Sequence, residues 1–177
     1  MKKYTADKIY TMNGPILERH VVVLGTDGSI LAIEPLDNHD PGSVQHIGEM
    51  MCPGFINAHC HLELSHMKGK VPTGTGLISF ITDVVTKRGS SEEEIAEAIA
   101  QAEKEMLDGG IVAVGDISNT TDTFRQKAQG HLRYYTFVEY FDMLQDSAAS
   151  EMEAQYDAVY DTLHVVNGGQ KSKVPHA

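Results

Sequence analysis

The sequence predicts an α/β protein in two parts: a small, mostly antiparallel β subdomain over residues 1–52, then alternating strands and helices over 53–177. Three observations carry this reading. The first fifty residues are short apolar runs cut by turn signals. The texture changes at Cys52-Pro53-Gly54, after which apolar runs of strand length alternate with runs of helical periodicity. One of those runs, Ile111-Val112-Ala113-Val114-Gly115-Asp116, is too uniformly apolar for a half-exposed strand and reads as a parallel strand covered on both faces.

Taken in order, Tyr4 to Met12 is an extended run ended by Asn13-Gly14-Pro15, and Ile16 to Leu24 is a second. Asp27-Gly28 then reverses the chain into Ser29 to Glu34, because glycine accepts the positive φ of a tight turn. The polar stretch from Asp37 to Gly42 precedes a last short strand from Val44 to Met50. Phe55 to His59 is a short buried strand entered through the Pro-Gly turn. Gly76 to Thr86 is a helix, closed by Lys87-Arg88-Gly89. A clearer helix follows: Ser91 with Glu94 forms a capping box, Ile95, Ala98, Ile99, Ala102 and Met106 recur at helical spacing, and Gly109-Gly110 ends the run. After the strand at Ile111 come a short helix from Thr121 to Gln129, an aromatic-rich strand from Arg133 to Tyr140, and a helix from Ser150 to Leu163. Asn167 to Ala177 reads as a loop.

Composition bounds the function. Lys and Arg number 14 against 25 Asp and Glu, a net charge of -11 with no massed basic patch, which excludes nucleic acid and anionic membrane surfaces as expected partners. The apolar runs are far shorter than the roughly 20 residues of a membrane span. Cys52 and Cys60 make no disulfide framework, and a cytoplasmic location is expected.

The sharpest chemical feature is His59-Cys60-His61. If the strand continues through His61, twofold alternation places both imidazoles on one side and Cys60 on the other, which suits Cys60 to packing. Two neutral imidazoles at the carboxyl end of a buried strand are half of a site for zinc or a similar ion. The competing structural reading is two partly buried histidines held by backbone bonds. Glu63, if the extended conformation persists, shares the side of His61 and can orient it or meet a substrate amine; a solvated carboxylate is the alternative. Ser65 and His66 lie in the loop after the strand, where His66 is a candidate substrate contact. Asp116 reads best as the hydrogen-bonding partner of a turn.

The segment Cys52-Pro53-Gly54-Phe55-Ile56-Asn57-Ala58-His59-Cys60-His61-Leu62-Glu63 resembles the Pro-Gly-Phe-x-Asn-x-His-x-His opening of the amidohydrolase superfamily, in the branch of metal-dependent deaminases and chlorohydrolases. Gly74-Thr75-Gly76-Leu77 and Gly109 to Asp116 are similar to the first βα loop and second strand of that branch, and Val174-Pro175-His176-Ala177 to the start of its Pro-His-Ala-Pro-Tyr segment. The resemblance implies the amino-terminal part of a TIM-type (β/α)8 barrel preceded by a small β-sandwich-like subdomain. It also implies metal ligation by His59 and His61, with zinc expected and iron the alternative, and substrate contact by His176. The remaining catalytic His, Glu and Asp are expected beyond residue 177, so the 177-residue chain by itself is expected to be inactive.

The function expected from the resemblance is hydrolysis of a non-peptide carbon–nitrogen bond, foremost deamination of a small amino-substituted nitrogen heterocycle or nucleoside by metal-activated water. A cyclic amidohydrolase or a chlorohydrolase uses the same site and stands as the alternative. A non-catalytic structural or interaction fragment is the third reading, since an open half barrel exposes sheet edges and an apolar side that invite a homo-oligomer.

Overall fold

The computed structural model describes residues 1–141 and 149–175, which form two compact units, Met1–Gly54 and Phe55–Ala177. In the first, β1 (Lys2–Thr5), β2 (Lys8–Ile9), β3 (His20–Leu24), β4 (Ile30–Pro35), β5 (Gln45–His46) and β6 (Met50–Met51) form one sheet of order β4-β3-β1-β5 and a two-stranded pair β2-β6. The β3–β4 hairpin turns at Gly28, whose φ of 85° only glycine adopts freely, and the Asp27 carboxylate accepts from the backbone N–H and hydroxyl of Ser29. Val22, Ile9 and Ala6 bury together against Leu17, Leu24 and Met51. The expected antiparallel character holds for β1, β3 and β4 and for the bridge between Ile9 and Leu17. The returning segments β5 and β6 pair parallel, because the chain crosses back before it joins β1 and β2. The expected long strand from Tyr4 to Met12 is broken at Ala6-Asp7, where Ala6 turns into the small core.

The second unit runs β7 (Phe55–Cys60), a 3-10 helix (Leu62–Met67), α1 (Leu77–Lys87), α2 (Glu92–Asp108), β8 (Ile111–Ser118), α3 (Phe124–Lys127), β9 (Arg133–Tyr140), α4 (Ala149–Thr162) and β10 (Gln170–Pro175). Its four strands are parallel and ordered β10-β9-β8-β7, the succession of neighbouring strands in a (β/α) barrel. Helix α2 begins on the expected capping box, with both reciprocal bonds between Ser91 and Glu94 present. Its apolar face, Ile95, Ile99, Ala102 and Met106, covers Leu62, Val114, Leu132 and Tyr134. The opposite sheet face is open, with Ile56 70% exposed and Tyr135 38%. Three expectations fail here. Among the described residues the strands at Phe55 and Ile111 are covered on one face only rather than buried, leaving Phe55, Ile56 and Val112 exposed. The tail read as a loop contains β10, and the segment after His61 is helical rather than extended. Among the described residues no helix is long and apolar enough to cross a membrane.

Candidate active site

The carboxyl ends of β7, β8 and β9 carry the polar side chains that could do chemistry. On β7, Asn57 pairs with Val114 and Cys60 with Asp116, so three steps of β7 match two of β8 and the strand bulges at Ala58-His59. Asn57 reaches Met106 on α2, at 3.6 Å from its sulfur, and Cys60 packs into the same layer. The bulge thus leaves Asn57 and Cys60 on the helix side and turns His59 away from it. The rings of His59 and His61 lie side by side, centroids 5.2 Å apart and planes inclined by 60°. Burial, with the Asp116 charge second, pushes the Cys60 thiol up to about 12, which makes it a packing group and a poor thiolate ligand.

After His61 the chain leaves the strand. Leu62 N–H donates to Asp116 Oδ1 at 2.8 Å and starts the 3-10 helix. Asp116 is wholly buried; its Oδ2 accepts from Lys127 Nζ at 2.5 Å and from Ser118 Oγ at 3.1 Å, while Lys127 also donates to Thr136 Oγ1 at 3.1 Å. The turn that follows the histidine pair is therefore anchored through β8 to a buried lysine on α3.

Glu63 is neither in an extended segment nor solvated. The helical turn carries it inward to 1% exposure, where Oε2 accepts from Asn119 N–H and Thr120 N–H, both at 2.9 Å, and from Thr120 Oγ1 at 3.0 Å. Burial holds its carboxyl above the ordinary carboxylate range, opposed by the Thr120 and Asn119 bonds and by Arg88, 3.6 Å from Oε1. Asn119 Nδ2 in turn donates to Glu139 Oε2 at 3.0 Å, so one chain of bonds ties the ends of β7, β8 and β9. His66 is buried, its Nε2 2.8 Å from the carbonyl of Arg88, where it closes the first βα loop. His176 lies outside the described residues; β10 ends at Pro175, paired with Tyr140. Beside His61 a cleft of about 530 Å³ opens between the 3-10 helix, α1 and α2, lined by Leu64, Met67, Val71, Phe80 and Val84.

The histidine pair fits a tetrahedral ion. A metal about 2.0–2.1 Å from an imidazole nitrogen lies about 3.2 Å from the ring centre, so two rings sharing it sit about 5 Å apart; the observed separation is 5.2 Å. Among the described residues no group of three or more His, Cys, Asp or Glu could close around a metal, so an ion held by this pair would need further ligands.

Lys127 and Glu103 were not singled out by sequence reasoning. Glu103 accepts from Tyr134 Oη at 2.8 Å, from His131 at 3.1 Å and from Gln126. Its signal was present, since it follows Ile99 by four on the apolar face of α2. Lys127 offered none.

A model of the amidohydrolase family matches residues 50–165. Among solved structures, the chain is similar to Helicobacter pylori aminofutalosine deaminase in complex with methylthio-coformycin, at 22% identity and a TM-score of 0.81, covering 99% of this chain and 44% of that one. It is similar to atrazine chlorohydrolase from Arthrobacter aurescens complexed with zinc, at 17% identity and a TM-score of 0.72, and to guanine deaminase from C. acetobutylicum with bound guanine, at 12% and 0.73; each match covers 99% of this chain and 46% of the other. The chain thus spans less than half the length of these structures, and at such identities they establish the shared barrel fold. Comparison with curated protein sequences returns no significant match. With the family model running from the end of the β subdomain through the strands and helices that build the histidine site, the chain belongs to the amidohydrolase family.

Proposed function

We propose that the full-length protein is a metal-dependent hydrolase that deaminates a small amino-substituted nitrogen heterocycle or nucleoside, with His59 and His61 as two ligands of a divalent ion, zinc foremost and iron second. The observation that carries the reading is the pair of imidazoles turned together at the carboxyl end of β7, at a spacing that suits one shared ion. The family match and the deaminases among the similar structures support the reaction class. When bound, the ion supplies Lewis acidity that makes water a nucleophile near neutral pH. Water replaces the ring amine, which leaves as ammonia.

This chain's own residues set the frame for that chemistry. Asp116 fixes the turn after His61 through Leu62 N–H, and Glu63 clamps Asn119 and Thr120 so that the second loop keeps its place beside the pair. His66 holds the first loop to Arg88. We assign direct substrate contact to His176, with Glu63 and His66 acting from behind the loops. A chlorohydrolase reading has one observation in its favour, the zinc-complexed atrazine chlorohydrolase among the similar structures.

The test is metal analysis and turnover of the full-length protein beside a variant carrying His59→Ala and His61→Ala. The variant is expected to lose its metal and its activity on amino-substituted rings. Unchanged metal content and turnover would sink the proposal. Assaying released ammonia, chloride and ring-opened product on one panel of heterocycles separates deamination from the alternatives.

A further inference from the structure

We propose that Gly115 is a positioning residue for the histidine pair: its lack of a side chain seats the β7 bulge that aims His59 beside His61. This rests on the metal role proposed above. Glycine in the middle of a strand weakens it and calls for a reason. Backbone conformation is not the reason, because Gly115 is absent from the positive-φ glycines. Space is. A Cβ on Gly115 would lie 2.7 Å from the carbonyl oxygen of Ala58, 3.2 Å from its carbonyl carbon and 3.4 Å from Phe137 Cε2. The first contact is shorter than packed atoms tolerate, and a backbone oxygen has no rotamer in which to escape.

Ala58 is one of the two residues that β7 spends opposite Gly115, between the pairs Asn57–Val114 and Cys60–Asp116. Both flanks of the bulge are held. Asn57 contacts Met106 and accepts from His59 N–H at 3.3 Å, and Cys60 is packed into the core layer. Downstream, Leu62 N–H is fixed to Asp116. A methyl group on Gly115 therefore displaces the Ala58-His59 peptide, while His61 stays where Asp116 holds it. The product of that displacement is a changed separation of the two rings, not merely a weaker sheet.

The experiment compares full-length wild type with Gly115→Ala, Asn57→Ala, Val114→Ala and His59→Ala. Zinc affinity is measured by chelator competition, and the d–d spectrum is recorded after loading with Co(II). Gly115→Ala is expected to weaken zinc binding about 10- to 100-fold, the scale on which groups behind metal ligands act, and to alter the Co(II) bands. Asn57→Ala loosens the same bulge without adding an atom and is expected to act in the same direction, which keeps the test informative if Gly115→Ala does not fold. Val114→Ala removes buried volume from the same strand and is expected to lower the melting temperature yet keep wild-type affinity and spectrum. Wild-type affinity and spectrum in folded Gly115→Ala, or in Asn57→Ala should the glycine variant not fold, overturn the proposal. So does an equal loss in Val114→Ala. If His59→Ala loses zinc while Gly115→Ala does not, positioning fails and the metal reading stands; if His59→Ala keeps its zinc, the metal reading itself falls.

Discussion

Replacing Lys127 by methionine turns the buried pair of Lys127 and Asp116 into a lone buried carboxylate, and the structure sets the cost. Asp116 is 0% exposed and Lys127 3%, and the lysine spreads its protons over Asp116, Ser118 and Thr136. Methionine fills much the same length and donates none of them. Breaking a buried pair from one side costs about 3–5 kcal/mol, a large share of the roughly 5–15 kcal/mol that holds a domain folded. Asp116→Asn strands the lysine charge instead and is expected to cost about as much, although its remaining oxygen can still accept from Leu62 N–H. The double variant buries no net charge, so it should recover at least about 2 kcal/mol relative to the sum of the singles. Urea unfolding followed by circular dichroism at neutral pH, run on all four proteins, gives the coupling directly. Coupling within about 0.5 kcal/mol of zero, the scatter of independent sites, would show that the pair does not act as a unit and that Asp116 does not depend on Lys127.

Further outcomes follow from neighbouring residues. Glu63→Ala removes the acceptor of Asn119 N–H, Thr120 N–H and the Thr120 hydroxyl, with an expected cost of about 3 kcal/mol from unsatisfied donors; unprotected amide exchange at both positions checks it, and exchange as slow as in wild type refutes the clamp. A thiol reagent at pH 8 should label exposed Cys52 far ahead of Cys60, whose thiol is pushed up to about 12 by burial. Against an ordinary value near 8.5 the thiolate fraction falls by roughly a thousandfold, so equal labelling rates by peptide mass mapping would contradict the packing role. Tyr134 has its phenol held above the ordinary range by burial first and then by donation to Glu103. Above about pH 10 the unfolded chain gives up that proton while the native chain keeps it, so stability falls as pH rises. Tyr134→Phe should make the alkaline side of the stability profile shallower by one proton, and an unchanged slope would reject the assignment.

What could be read in the sequence was local. Helix α2 was legible because its cap, apolar spacing and terminal glycines all lie within one stretch, and the β3–β4 hairpin because Asp27-Gly28 specifies its own turn. β10 was not, because among the described strands it lies at an edge and its stabilising side chains are lysines. Lys171 donates to the carbonyls of Tyr160 and Leu163 at 2.6 and 3.0 Å, serving the end of α4, and sits 4.2 Å from the Tyr160 ring; Lys173 pairs with Asp157. Lysine stems laid along a helix do the work of apolar residues while scoring as polar. The 3-10 helix after His61 was hidden for another reason. Leu62 and Leu64 alternate as a strand would, and the turn is imposed by Asp116, 54 positions away.

The histidine site shows how a local pattern can conceal what determines it. Twofold alternation along β7 predicts that His59 and His61 share a side, but the same count also puts Asn57 on that side. Asn57 faces α2, so an unbroken strand would aim both imidazoles into the helix layer and bury them against Met106. One extra residue at the bulge turns His59 off the helix side, and the ring of His61, just past the end of β7, lies beside it. Whether His-x-His faces a packed core or an open site is thus decided by whether a neighbouring strand leaves room for Ala58 to bulge. In this chain the room is supplied by β8, at a position that reads in the sequence only as a weak point in an otherwise apolar strand.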